Sequence, residues 1–133
     1  MAPWIFLLFA MVFDLGFYSY AVIATQNAAR SAVMYNTQSD GYKTDTTGAC
    51  SIARRELQGM PNVGGSLASC AASKAAITNA LPIAVVLTQN SGPDGQTAVQ
   101  AAVTYQSPNF FLLPGMMSRM TVTRIAEARI RDN

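Results

Sequence analysis

The chain has 133 residues, of which 50% are hydrophobic and only 12% are charged. Its net charge of +2 is too small to indicate a nucleic-acid partner, and the absence of histidine removes the commonest general base and the commonest metal ligand. The two lysines, Lys43 and Lys74, lie in no catalytic motif, so we expect no enzymatic activity, no cofactor and no metal.

The first stretch, residues 1–36, is predicted to form one long apolar helix. From Trp4 to Ala24 the sequence is apolar apart from Asp14 and a few hydroxyl groups. This run would be roughly 31 Å long as a helix, which is about the thickness of a bilayer core. Pro3 lies in the first turn, where its missing N–H costs nothing. The sequence therefore predicts a helix that can span a membrane.

Two faces of this helix are predicted to pack against other copies of the chain. Aromatic side chains recur at three- and four-residue steps and form a stripe, and small residues form a second face further along. Small residues let helix backbones approach closely in lipid. The predicted subunit-packing residues are Phe6, Phe9, Phe13, Asp14, Gly16, Phe17, Tyr20, Ala21, Ala24 and Ala28.

Residues 37–133 are predicted to form a separate surface module. A second helix is expected over residues 50–60, with Asp45 or Thr47 as its N-cap and with Ile52 and Leu57 buried. Residues 67–80 are rich in alanine and serine, and both a short helix and an irregular crossover stay open for them.

Beyond residue 80 the hydrophobic period changes from that of a helix to that of a strand. Residues 81–90 and 96–106 alternate around the turn sequence SGPDG, which predicts a β-hairpin. Residues 107–117 are expected to be a loop with an apolar tip, and residues 118–131 alternate again. Antiparallel strands packed under a long helix make the predicted fold class α+β.

Arg124 is the exception on the otherwise apolar face of the last strand. Three explanations stay open from the sequence. A bulge rotates the side chain outward, a carboxylate of Glu56 or of a neighbouring subunit holds it, or it extends to the rim of the sheet.

Cys50 and Cys70 are predicted to form a disulfide. They are the only cysteines, and the apolar N-terminal run indicates an exported chain in which a disulfide is the usual state. With no histidine and no further cysteine, a metal site is the poorer explanation.

Three parts of the sequence resemble TadE/TadG-like pilins, the pseudopilin-like family of tight-adherence and related type IV filaments. They are the acidic–apolar–glycine step Asp14-Leu15-Gly16, the stretch TQNAARSA at residues 25–32, and the closing strand at residues 120–131. The resemblance implies a structural subunit of an extracellular filament that polymerises through its N-terminal helix. Its implied partners are other copies of itself, the inner membrane before assembly, and the pilus assembly machinery.

The role of Asp14 divides into two expectations. The resemblance implies that Asp14 pairs with the α-amino group of another copy, which would fix an axial stagger of about 20 Å between neighbouring helices. The residues alone also allow a neutral Asp14 that is hydrogen-bonded to Tyr18, one turn further along, or to a main-chain carbonyl. For the whole chain, the alternative to a filament subunit is a monomeric, membrane-anchored binding or assembly-accessory module.

Overall fold

The computed structural model describes residues 2–63, 69–108 and 119–131. Within these ranges the chain forms helices α1 (Ala2–Asn36) and α2 (Thr46–Glu56), followed by strands β1 (Ile83–Ser91), β2 (Thr97–Gln106) and β3 (Thr121–Arg129). The strands form one antiparallel sheet in the order β1-β2-β3. The predicted α+β class, with a long N-terminal apolar helix and a small antiparallel sheet, is confirmed.

Helix α1 continues without a break for 35 residues. Its proline lies in the first turn and Gly16 is its only glycine, so nothing in its interior removes a main-chain hydrogen bond. The helix ends at Asn36, whose buried side-chain amide donates hydrogen bonds to the main-chain carbonyls of Tyr42 and Asp45. These bonds fold the chain back, and α2 consequently packs against α1.

The predicted extent of the second helix, residues 50–60, is wrong, because α2 begins at Thr46 and ends at Glu56. The start is set by Asp45, the N-cap, whose Oδ1 accepts a hydrogen bond from the Gly48 N–H at 3.0 Å. Leu57 is fully buried as expected, whereas Ile52 is only half-buried.

The predicted hairpin is confirmed between β1 and β2. The Gly92 N–H donates to the Gln96 carbonyl at 2.8 Å, and Gly95 adopts a φ of +80°, which favours glycine. The ion pair between Asp94 of the turn and Arg129 of β3 ties the turn to the far edge of the sheet.

Strand β3 pairs with β2 in one continuous register, from Ala98 opposite Arg129 to Gln106 opposite Thr121. Arg124 lies opposite Val103 within this ladder, so the bulge that was one explanation for Arg124 is absent. Glu56 does not hold Arg124 either; it accepts a hydrogen bond from the Ser31 hydroxyl at 3.4 Å.

The core lies between the inner face of the sheet, helix α2 and the second half of α1. Tyr105 is the largest fully buried side chain, and its hydroxyl donates to the Pro61 carbonyl at 2.7 Å. Burial raises the pKa of this phenol, so it stays protonated as a donor. The alternating residues of the strands face this core as predicted, namely Ile83, Val85, Val99, Ala101, Val103 and Val122.

The connection from α2 to β1 is an irregular crossover where the structure describes it. It contains a short 3₁₀ turn at Lys74–Ala76 and a single parallel bridge between Ala71 and Ala84. Cys70 is disulfide-bonded to Cys50 of α2, with the two Cα atoms 5.9 Å apart. Of the loop predicted at 107–117, only residues 107 and 108 are described, and its predicted apolar tip lies outside the described residues.

Candidate functional site

Exposed apolar surface is concentrated on the first part of α1, which we call the projecting half (residues 2–20). Within the most apolar 18-residue window of α1 the mean hydropathy is 1.9, and 11% of that window is buried. The helix is thus long and apolar enough to anchor the chain in a membrane. The exposed large hydrophobic residues of α1 up to residue 23 are Trp4, Ile5, Phe6, Leu7, Leu8, Phe9, Met11, Val12, Phe13, Leu15, Tyr18, Tyr20 and Ile23.

The predicted aromatic stripe lies mostly on this exposed surface. Phe6 and Phe9 are about two-thirds exposed, at 66% and 69%, and Phe13 and Tyr20 are about half exposed, at 49% and 55%. Phe17 differs because it is half-buried against the edge of the core. The stripe can therefore contact lipid or another chain along most of its length.

The structure places the predicted small-residue face against its own chain. Ala21 and Ala28 are fully buried within their own chain, and Ala24 is half-buried against the same core. They belong to the second part of α1, which we call the docked half (residues 21–36). Because the sheet and α2 of the same molecule cover Ala21 and Ala28, these two residues are not available for contact with another copy in this conformation.

Asp14 lies beside a shallow groove in the projecting half. The groove has a volume of about 310 Å³ and is lined by Met11, Asp14, Leu15 and Tyr18. Asp14 is half-buried, and among the described residues it has neither a hydrogen bond nor an ion pair, so the expected hydrogen bond from Tyr18 is not formed. Gly16, the other predicted residue of this step, faces open space.

A set of hydrogen bonds joins α1 to α2, and we call it the Tyr35–Asp45–Gly48 junction. The sequence predicted Asp45 as a possible cap but did not predict its contact with Tyr35. The Tyr35 hydroxyl donates to Asp45 Oδ2 at 2.8 Å, while Oδ1 of the same carboxylate accepts from the Gly48 N–H at 3.0 Å. A Cβ atom on Gly48 would clash with the side chains of Tyr35 and Asp45, so only glycine fits there without moving them.

The electrostatics of this junction favour an ionised Asp45. The Gly48 N–H first, and then the Tyr35 hydroxyl, lower the pKa of the Asp45 carboxyl below its ordinary value. The same contact raises the pKa of Tyr35, since its proton is held by the carboxylate. The junction joins the C-terminal end of α1 to the first turn of α2, in addition to the packing of α1 against α2 and the sheet.

A second concave surface lies between α2 and β1. This cleft of about 530 Å³ lies beside the disulfide, and Arg54 is the one charged side chain among its described lining residues. Thr46, Thr47 and Ser51 contribute hydroxyl groups from α2. Among its described lining residues, the cleft offers these hydroxyl groups and the Arg54 guanidinium as hydrogen-bonding groups.

Comparisons with protein-family models, with curated proteins and with solved structures find no match to this chain.

Proposed function

We propose that this chain is a structural subunit of an extracellular, type IV pilus-like filament that polymerises through the projecting half of α1. Before assembly the same half would hold the subunit in the inner membrane. In the filament it would be covered by helices of other copies, while the module of α2 and the sheet forms the surface.

The observation that carries this proposal is the contrast between the projecting half and the rest of the surface. Trp4 at 72% exposure and Phe6 at 66% are two residues apart, which places them roughly 200° apart around the helix, so the apolar surface surrounds it. Apolar surface of this extent on a soluble chain marks a contact with lipid or with protein. A filament core supplies protein contacts on all sides of a helix, and a membrane supplies lipid there before assembly.

Two features favour a filament over a simple membrane tether. A tether needs only apolar side chains, whereas the projecting half carries an aromatic stripe on one side and a carboxylate, Asp14, within a groove. A charged group at the level of the hydrocarbon core is costly and is retained in membrane helices mainly where it has a function. Other copies of the same chain would supply the partner that lipid cannot.

The experiment is to express the full chain with its export and assembly machinery, shear the cells, and separate high-mass fibres from membranes. We expect the chain to be recovered in the sheared fraction as fibres that electron microscopy resolves. Recovery of the chain in the membrane fraction alone, as monomers after detergent extraction, would instead support the monomeric anchored module.

A matched control uses a substitution far from the projecting half. Ile125 is 53% exposed on the outer face of the sheet, so Ile125→Thr should leave fibre yield unchanged. Loss of fibres in this variant would mean that the sheet surface, and not the helix alone, drives assembly.

A further inference from the structure

Arg124 is a positively charged residue on the inner, otherwise apolar face of the sheet. It lies opposite Val103, which is fully buried, so its side chain leaves the sheet on the face covered by α1. Its Nε atom is shielded from solvent and has no hydrogen-bond partner among the described residues. A shielded nitrogen without an acceptor is unfavourable. The side chain as a whole is only half-buried, as expected for one that extends to the rim of the sheet, so a carboxylate of another copy could reach the guanidinium there.

Asp14 is an acidic residue of the same molecule that lacks a partner among the residues that the structure describes. Most of the other described acids have a partner: Asp40 contacts Lys43, Asp45 contacts Tyr35, Asp94 contacts Arg129 and Glu56 contacts Ser31. Asp14 has no such contact within the described chain, although it lies in the most apolar surroundings.

The two groups do not meet within one chain. The Arg131 N–H donates to the Thr37 carbonyl at 3.2 Å, which places the end of β3 beside the end of α1. Arg124 lies seven residues before Arg131, which is about 23 Å back along the strand. The same distance measured back along α1 from Thr37 reaches roughly the level of Val22. Asp14 lies about 12 Å further along the helix axis.

We propose that Arg124 of one copy forms an ion pair with Asp14 of a neighbouring copy in the filament. This inference rests on the proposed function and names the contact that would set the register of assembly. A neighbour displaced by about 12 Å along the axis brings its Asp14 to the level of Arg124. The occupant of the groove at Asp14 is then the sheet edge of a second copy, and the two unpartnered charges complement each other.

Arginine suits this role because its guanidinium can donate two parallel hydrogen bonds to one carboxylate in a poorly hydrated contact. The pairing also explains why a charge in the membrane-spanning run and a charge under the helix occur together. Each is unfavourable in the monomer, and both are satisfied when copies associate.

Neutral variants test the energetic part of the proposal in the full chain. Asp14→Asn and Arg124→Gln should each lower fibre yield by about tenfold or more, and the double variant should be no worse than either single one, because the two residues act as a pair. The controls are Glu127→Gln and Arg55→Gln, which remove the same charges from exposed positions and should leave fibre yield unchanged.

Crosslinking tests the geometric part. Because the natural cysteines are joined to each other, chains carrying Asp14→Cys and chains carrying Arg124→Cys each present one new thiol. Mixed fibres treated with a short bis-maleimide should yield a dimer with one chain of each kind. A short crosslinker that reacts with a thiol at one end and with an amine at the other tests the alternative. A link from position 14 to the α-amino group of another copy, with no dimer from the bis-maleimide, would overturn the ion pair.

The outcomes separate this contact from the filament itself. Fibres of normal yield from both neutral variants would overturn the ion pair while the proposed function stands. A wild-type chain that forms no fibres, but whose cysteine variants still crosslink between positions 14 and 124 in membranes, would overturn the filament and support the contact between copies.

Discussion

The two halves of α1 share one uninterrupted backbone and have opposite surroundings. In the docked half, Ala21, Thr25, Ala28 and Ala32 are fully buried by the chain's own sheet and second helix. In the projecting half, side chains as large as Trp4 remain exposed. The same helix therefore takes part in the core of one molecule and offers apolar surface to something else.

Side-chain size, more than hydrophobicity, separates the two halves. Alanine and threonine let the helix axis approach the sheet closely, and the Thr25 hydroxyl is satisfied by the Ala21 carbonyl at 2.7 Å within the helix. Phenylalanine, leucine and tryptophan keep neighbouring backbones further apart, so they suit a surface that lipid or other helices fill. The comparison predicts that substitutions in the projecting half change insertion and assembly, whereas those around the docked half change folding.

The largest expected effect is on membrane insertion, from Val12→Lys in the projecting half. Lysine near the centre of the apolar run should weaken insertion by about 3–4 kcal/mol relative to valine. Val12 is 71% exposed and contributes little to the core, so the thermal unfolding of the module in detergent should stay the same. The measurements are partitioning between membrane and soluble fractions, and circular dichroism during heating.

Val12→Leu is the matched control, since it keeps the position apolar and should behave like the wild-type chain in both measurements. A fall in the unfolding temperature of Val12→Lys would contradict the division of α1 into two independent halves.

Much of the fold could be predicted from the sequence because local patterns determine it. The long apolar run predicts α1, the SGPDG turn between two alternating stretches predicts the hairpin, and alternation at residues 118–131 predicts β3. Each of these signals lies within a short window of sequence, where periodicity and turn chemistry are informative.

The partner of the small-residue face could not be predicted, because periodicity defines a face of a helix without identifying what covers it. Ala21 and Ala28 would look the same if they faced another copy. The Tyr35–Asp45–Gly48 junction was missed for a related reason. Asp45 was recognised as a possible cap, but its contact with Tyr35 depends on the turn that brings α2 back against α1.

The second effect, on folding, concerns the disulfide of the module. Cys50 and Cys70 are 20 residues apart in the sequence, and opening a loop of that length should lower the free energy of unfolding by about 3 kcal/mol. The variant with both Cys50→Ala and Cys70→Ala should therefore denature at a lower urea concentration than the oxidised wild-type chain, with unchanged membrane insertion.

Wild-type chain treated with a reductant is the matched control and should denature close to the double variant. Equal midpoints for oxidised and reduced wild-type chains would contradict a stabilising bond. A change in membrane partitioning would contradict the separation of the projecting half from the module, because the disulfide lies entirely within the module.

The smallest expected effect is the response of the module to acid through the Tyr35–Asp45–Gly48 junction. The pKa of Asp45 in the folded chain is lowered from its ordinary value of 3.8, chiefly by the Gly48 N–H and then by the Tyr35 hydroxyl. The ionised carboxylate thus stabilises the folded chain fully above about pH 5, and this contribution disappears as the pH falls through 3.8 towards the folded pKa. Asp45→Asn keeps an oxygen that can cap α2 but cannot titrate. Between about pH 5 and pH 3, its urea midpoint should therefore fall less than that of the wild-type chain.

Asp40→Asn is the matched control, because its ion pair with Lys43 at 3.7 Å is exposed and should contribute little. Parallel acid profiles for the wild-type chain and Asp45→Asn would show that the junction positions α1 by its shape, with no contribution from its charge.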